Sequence, residues 1–172
     1  LLDWAMDDVL TEASFVVHQA DWLSAHLHGD WTRSDFHNSL KLGFDPVALS
    51  YPDWFQALLG DFCGLLPSPV KPGQIVGHLL ETVAQKLGLP KEVEVCAGTT
   101  DSIAAFLASD AQKIGDAVTS LGSTLALKLL SQNRVDSPAF GVYSHWFGQK
   151  WLVGGASNAG GAILSHFFNP QD

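Results

Sequence analysis

Over the first sixty residues, apolar positions recur at helical spacing and are interrupted by polar breaks. In Asp21-Trp22-Leu23-Ser24-Ala25-His26-Leu27-His28 the spacing predicts a helix, with Gly29 as its stop. Pro46 and Pro52 punctuate the next stretch, and residues 54–59 predict a short amphipathic helix before Gly60. Residues 63–74 carry three prolines and two glycines, the composition of a loop. Residues 75–87 predict a helix after a short extended lead, closed by Gly88 and stopped by Pro90.

From residue 91 the pattern shifts toward strands and hairpins. Residues 93–97 form a short apolar run ending at Gly98, and Asp101 is placed to cap a helix over 102–109. Residues 117–121 and 125–130 predict two strands joined through Gly122-Ser123-Thr124. A second hairpin, 142–147 with 151–155, turns at Gly148-Gln149-Lys150, and 159–168 predict a last helix. There is no internal repeat and no low-complexity segment.

Composition narrows the function classes. Apolar residues make up 47% of 172, with six Trp and ten Phe, enough for a packed core in one domain or two partial ones. The net charge of −9 argues against a nucleic-acid surface, which needs basic stripes. It leaves room for an anionic nucleotide held locally by loop amides and a metal ion. Cys63 and Cys96 match no metal spacing, suit a reducing compartment and are expected to be buried thiols. No apolar run approaches the length of a membrane span and no signal peptide is visible, so a soluble, cytoplasmic protein without a membrane partner is expected.

The candidate chemistry sits in three small-residue loops within about sixty residues. Gly98-Thr99-Thr100-Asp101-Ser102 offers a carboxylate at a strand–helix junction. Ser120-Leu121-Gly122-Ser123-Thr124 offers backbone N–H groups and hydroxyls with little bulk. Gly154-Gly155-Ala156-Ser157-Asn158-Ala159-Gly160-Gly161 precedes the last helix. A carboxylate able to accept a proton, beside a Gly/Ser/Thr loop able to hold phosphate, is the minimum equipment for moving a phosphoryl group onto an alcohol. Each loop also has a plain reading: Asp101 as a helix cap, 122–124 as a hairpin turn, and Gly160-Gly161 as a close packing point. His26 and His28 diverge by about 200° on a helix and cannot share a metal. His18 and His37 have no evident partner. Trp22, Trp31, Trp54, Trp146 and Trp151 read as core and interface aromatics, and Asp7, Asp8 and Asp116 as solvated surface.

The run Leu66-Pro67, Pro72-Gly73, Ile75-Val76-Gly77, Ala84, Gly88-Leu89-Pro90, Val93 and Ala97-Gly98-Thr99-Thr100-Asp101 resembles the FGGY carbohydrate kinases. Gly115-Asp116, the 120–124 loop and the 154–161 segment continue in the same order. The resemblance covers essentially the whole chain and is closest to the plant and cyanobacterial ribulose kinase-like (xylulose kinase-like) sugar kinases. It implies an α/β fold, a partial actin-like (ribonuclease H-like) ATPase fold whose two domains close over sugar and nucleotide. Residues 1–108 would be the later part of the sugar-binding domain, and 109–172 the opening hairpins and helix of the nucleotide-binding domain. It further implies ATP-dependent phosphorylation of a ketose or polyol, D-ribulose before xylulose, with magnesium held partly by residues outside this sequence and through water by Asp101.

By the same resemblance Asp101 is the general base. Asp101 and Ser102 contact the sugar, and Gly122, Ser123, Thr124, Gly160 and Gly161 contact the nucleotide, with Asn158 and Ser165 as further candidates. The family's Asp-x-Gly-Thr phosphate loop and adenine loop do not occur in the sequence. The chain is therefore expected to be the central third of a kinase, inactive alone. A homodimer is the assembly considered, and the plastid stroma replaces the cytoplasm if the source is a plant. The competing class is an actin-like nucleotide-binding module that phosphorylates no sugar and makes no demand on Asp101.

Overall fold

The computed structural model describes residues 15–168, apart from the side chains at 164 and 165. Asp7 and Asp8, and the side chain of Ser165, lie outside what is described. The chain divides between Thr100 and Asp101 into two compact units. That division precedes the helix at 101, whereas the sequence reading sets a domain boundary after it, at 108/109. The helix goes with the second unit because its buried Ile103 and Phe106 pack on Leu130 and Leu152 there.

In the first unit, α1 (Gln19–His28) ends at Gly29, whose φ of 89° is left-handed and whose N–H bonds to Ala25. β1 (Arg33–Asp35) runs parallel to β2 (Ser68–Val70). Neither three-residue strand shows in the sequence pattern: β1 lies among helix-like spacing, and β2 contains Pro69, which a ladder tolerates only where its missing donor is not needed. α2 (Phe36–Ser39) follows β1 directly. Phe36, Phe44, Tyr51 and Phe55 then stack in succession with centroids 5.2–6.3 Å apart, and the last of them belongs to α3 (Asp53–Leu59).

The helix expected over 75–87 is two elements. β3 (Ile75–His78) pairs antiparallel with β4 (Glu94–Cys96), and α4 (Glu81–Leu87) follows. Leu79, Ala84 and Val95 form the small core between them. Gly77 lets α1 approach, since a Cβ there would stand 3.0 Å from the His28 Cβ.

The second unit is a four-stranded antiparallel sheet in the order β5-β6-β8-β7 with α5 (Asp101–Leu107) on one face. β5 (Ala117–Leu121) and β6 (Leu125–Ser131) form one hairpin, and β7 (Tyr143–Phe147) and β8 (Lys150–Ser157) the other. α6 (Gly161–Phe167) closes the unit. Period-2 alternation sets Lys128 and Leu130 on the α5 face, while Leu125, Leu127 and Leu129 occupy the opposite face. Buried Lys128 lies over Gly154, where a Cβ would meet its Cδ at 2.6 Å, and its Nζ sits 5.4 Å from the Tyr143 ring centre.

Two surface expectations change. Cys63 is half-buried and Cys96 exposed, so neither is the buried thiol expected. Trp22 and Trp54 are 48% and 67% exposed rather than core. Trp22 instead meets His26 edge-on, which in turn meets Trp31.

Candidate functional site

Asp101 opens α5 rather than capping it from outside; it is the first helical residue. Its Oδ1 accepts the N–H of Ser102 at 2.6 Å, a bond to the adjacent residue instead of the N2 or N3 bond of a cap. Both Asp101 and Ser102 are exposed, and the helix is anchored by Ile103 and Phe106 at 0% and 1% exposure. Asp101 therefore stands at the exposed start of a helix held to the sheet by one buried face, Ile103 and Phe106, with its carboxylate accessible to a group within hydrogen-bond reach.

The turn at Gly122, Ser123 and Thr124 is exposed and folds on itself, with the Gly122 N–H donating to the Thr124 carbonyl at 3.0 Å. The segment read as a third loop, 154–161, is strand β8 as far as Ser157, and the structure brings the glycine pair that follows, Gly160-Gly161, onto this turn. A Cβ on Gly160 would stand 2.3 Å from the Thr124 carbonyl carbon and 2.6 Å from the Leu125 nitrogen. The Gly161 N–H donates to the Gly122 carbonyl at 2.7 Å. The plain reading of these glycines as a close packing point therefore holds geometrically. The amides of Gly122 and Gly161 are engaged with protein and are not the phosphate donors expected of them. Ser123 and Thr124 are both exposed, and a hydroxyl side chain can donate as well as accept a hydrogen bond. Asn158 is exposed on the approach to the glycine pair.

The acidic residues differ. Asp116 is more than bland surface: it accepts the backbone N–H groups of Lys113 and Gln112 at 2.8 and 2.9 Å, and these bonds, Lys113's first, hold its carboxyl below the usual range. Asp21 is buried, and desolvation pushes its carboxyl up. It lines a cavity of about 310 Å³ in the first unit together with Ser24, Ser34, Asp35, Cys96 and Gly98. Among the described residues, no group of three or more His, Cys, Asp or Glu side chains gathers to hold a metal, and no helix is long and apolar enough to cross a membrane.

His37 is the residue the sequence reading passed over. Its ring is 3% exposed, and its Nδ1 lies 2.6 Å from Thr99 Oγ1, across 62 positions of sequence. The signal available was Ser34-Asp35 ahead of Phe36, a helix-start pattern. Asp35 caps α2, accepting the N–H groups of His37 and Asn38 at 2.8 and 3.0 Å and the Asn38 side-chain amide at 2.6 Å. The pattern fixes α2 but says nothing of the loop its histidine reaches.

No protein-family model matches the chain. Solved structures do. Xylulose kinase from Rhodospirillum rubrum superposes with a TM-score of 0.85 and 22% identity over 96% of this chain and 34% of its own. Gluconate kinase from Lactobacillus acidophilus gives 0.84 and 16% over 96% and 34%. Plasmodium falciparum glycerol kinase, solved with ADP, gives 0.75 and 14% over 95% and 35%. The chain thus spans about a third of the length of the structures it matches. At these identities the likeness is one of fold. The fold is α/β, a part of the actin-like ATPase fold in which FGGY carbohydrate kinases are built.

Proposed function

We propose that this chain is the central third of an ATP- and magnesium-dependent kinase of the FGGY type that phosphorylates a ketose or polyol. D-ribulose is the first substrate to try and xylulose the second. In this reading residues 1–108 belong to the sugar-binding domain and 109–172 open the nucleotide-binding domain, with the last helix of the first, Asp101–Leu107, packed into the compact unit that begins at Asp101. One observation carries it. The second unit holds both an exposed carboxylate on a firmly anchored helix and an exposed hydroxyl-bearing turn braced by the backbone of Gly160-Gly161.

The residues fit the roles through side chains more than through amides. Ser123 and Thr124 donate hydroxyl hydrogen bonds to phosphate oxygens, while Gly160 and Gly161 fix the turn that presents them. Asp101 keeps one oxygen on the Ser102 N–H, which leaves the other to receive the proton of the sugar hydroxyl. As that proton moves to Asp101, the freed alcohol oxygen forms its bond to phosphorus and the bridging bond to the leaving diphosphate breaks. Ser102, beside it, steadies the sugar. When bound, ATP would supply the phosphoryl group and magnesium would offset its charge, with Asp101 the residue of this chain that would help hold the ion, through water.

The test is coupled turnover of the full-length protein with a panel of pentuloses and polyols. Sugar-dependent ADP release supports the kinase. ATP binding without it leaves the nucleotide-binding module instead and overturns the proposal.

A further inference from the structure

We propose that His37 is a positioning residue for the phosphotransfer site, acting through Thr99 on the loop that leads into Asp101; the inference rests on the kinase reading above. Packing alone does not hold that loop at its start. Gly98 is exposed, and a Cβ built on it would meet nothing within 4 Å. One residue later, the half-buried Thr99 hydroxyl is 2.6 Å from a ring nitrogen of His37, which is itself almost wholly buried.

The ring cannot swing away cheaply. It stands on α2, whose first turn is tied by the Asp35 carboxylate to two backbone amides and one side-chain amide. A buried, capped support bonded to a glycine-led loop suppresses backbone freedom two residues before the proposed base. Misplacing a general base by a fraction of an ångström slows the chemical step while leaving ground-state binding nearly intact. The effect of losing the bond is therefore a loss of kcat with KM retained.

The experiment compares Thr99→Val, Thr99→Ser, His37→Phe and the double variant Thr99→Val/His37→Phe in the full-length protein. Expected are a fall in kcat of about tenfold for Thr99→Val, the scale of one lost hydrogen bond, with KM for sugar and ATP within about twofold. Thr99→Ser, which keeps the hydroxyl, restores kcat, and the double variant is no slower than the worse single one. Amide hydrogen exchange over residues 98–102, read in the same proteins, accelerates in Thr99→Val and not in Thr99→Ser. Wild-type kcat in Thr99→Val, or additive losses in the double variant, overturns the positioning role. If the wild-type protein releases no ADP with any sugar, the kinase reading and the catalytic role fall together. The exchange data then separate the two failures: unchanged exchange in Thr99→Val shows that the bond does not restrain the loop either, while faster exchange shows a restraint without that catalysis.

Discussion

At residue 101 the informative change removes charge and keeps shape. Asp101→Asn retains the volume of the side chain at an exposed helix start, so unfolding by heat or denaturant is expected to change little. Sugar-dependent turnover in the full-length protein is expected to fall by about 10²–10⁴, the range of a lost general base; turnover within a few-fold of wild type removes Asp101 from that role. Gly160→Ala is the opposite case, since a Cβ would overlap the backbone of Thr124 and Leu125, which cannot yield as a flexible side chain would. A loss of about 1–3 kcal/mol in denaturant unfolding is expected, on the scale of overpacking, and wild-type stability would mean that the turn is not braced there. A third residue sets a pH limit. Burial pushes the Tyr51 hydroxyl up to about 12, and it donates to the Pro67 carbonyl at 3.1 Å. A neutral phenol favoured by folding contributes stability that is complete below the unfolded value of about 10 and is lost as pH rises toward 12. The unfolding midpoint should fall across that window, and Tyr51→Phe should flatten the fall. These residues were unequally legible: Asp101 stood out as a carboxylate after a glycine-led loop, whereas the brace under Gly160 and the partner of His37 depend on contacts that no local pattern encodes.

At the scale of elements, period and punctuation carried most of the assignment. Both hairpins of the second unit lie where alternation and their turn residues set them, and α1 and α4 end at left-handed glycines, Gly29 and Gly88, as their positions suggested. Misreadings fall where an element is too short for its period to show. β1 and β2 are three residues each, and β3 was absorbed into the helix that follows because Ile75-Val76-Gly77-His78 fits either period over so few positions. These strands exist because a partner pairs with them, a tertiary cause that a local window does not hold. Energy at this scale concentrates where α5 meets the sheet. Phe106 is 1% exposed, meets Phe147 edge-on at 5.9 Å and packs with Ile103, Leu130 and Leu152. Phe106→Ala should cost about 3–5 kcal/mol. Equilibrium unfolding monitored in the second unit checks it, and a loss under about 1 kcal/mol would show that the helix is not held by this contact.

At the scale of the whole molecule, among the described residues the sheet of the second unit has one face covered by α5 and one face that none of them covers. Leu125, Leu127 and Leu129 run along the open face, with Val142 and Val153 beside them and Phe140, 84% exposed, at the margin. Together they line a groove of about 320 Å³. Soluble monomers rarely expose a continuous apolar face of this kind. In the reading proposed above, the rest of a kinase some three times longer covers it, which matches the one-third coverage of the solved structures. The same substitution should then act in opposite directions in two molecules. In the 172-residue chain, Leu127→Lys adds charge to an uncovered face and should reduce self-association measured by light scattering. In the full-length protein it buries a lysine against apolar neighbours and should lower the unfolding midpoint, by the logic of an unpaired charge. A chain that stays monomeric with or without the lysine, together with a full-length protein indifferent to it, would mean that nothing docks on this face. The part of the kinase reading that assigns the missing two-thirds to covering it would fail with that result, whatever the fate of Asp101.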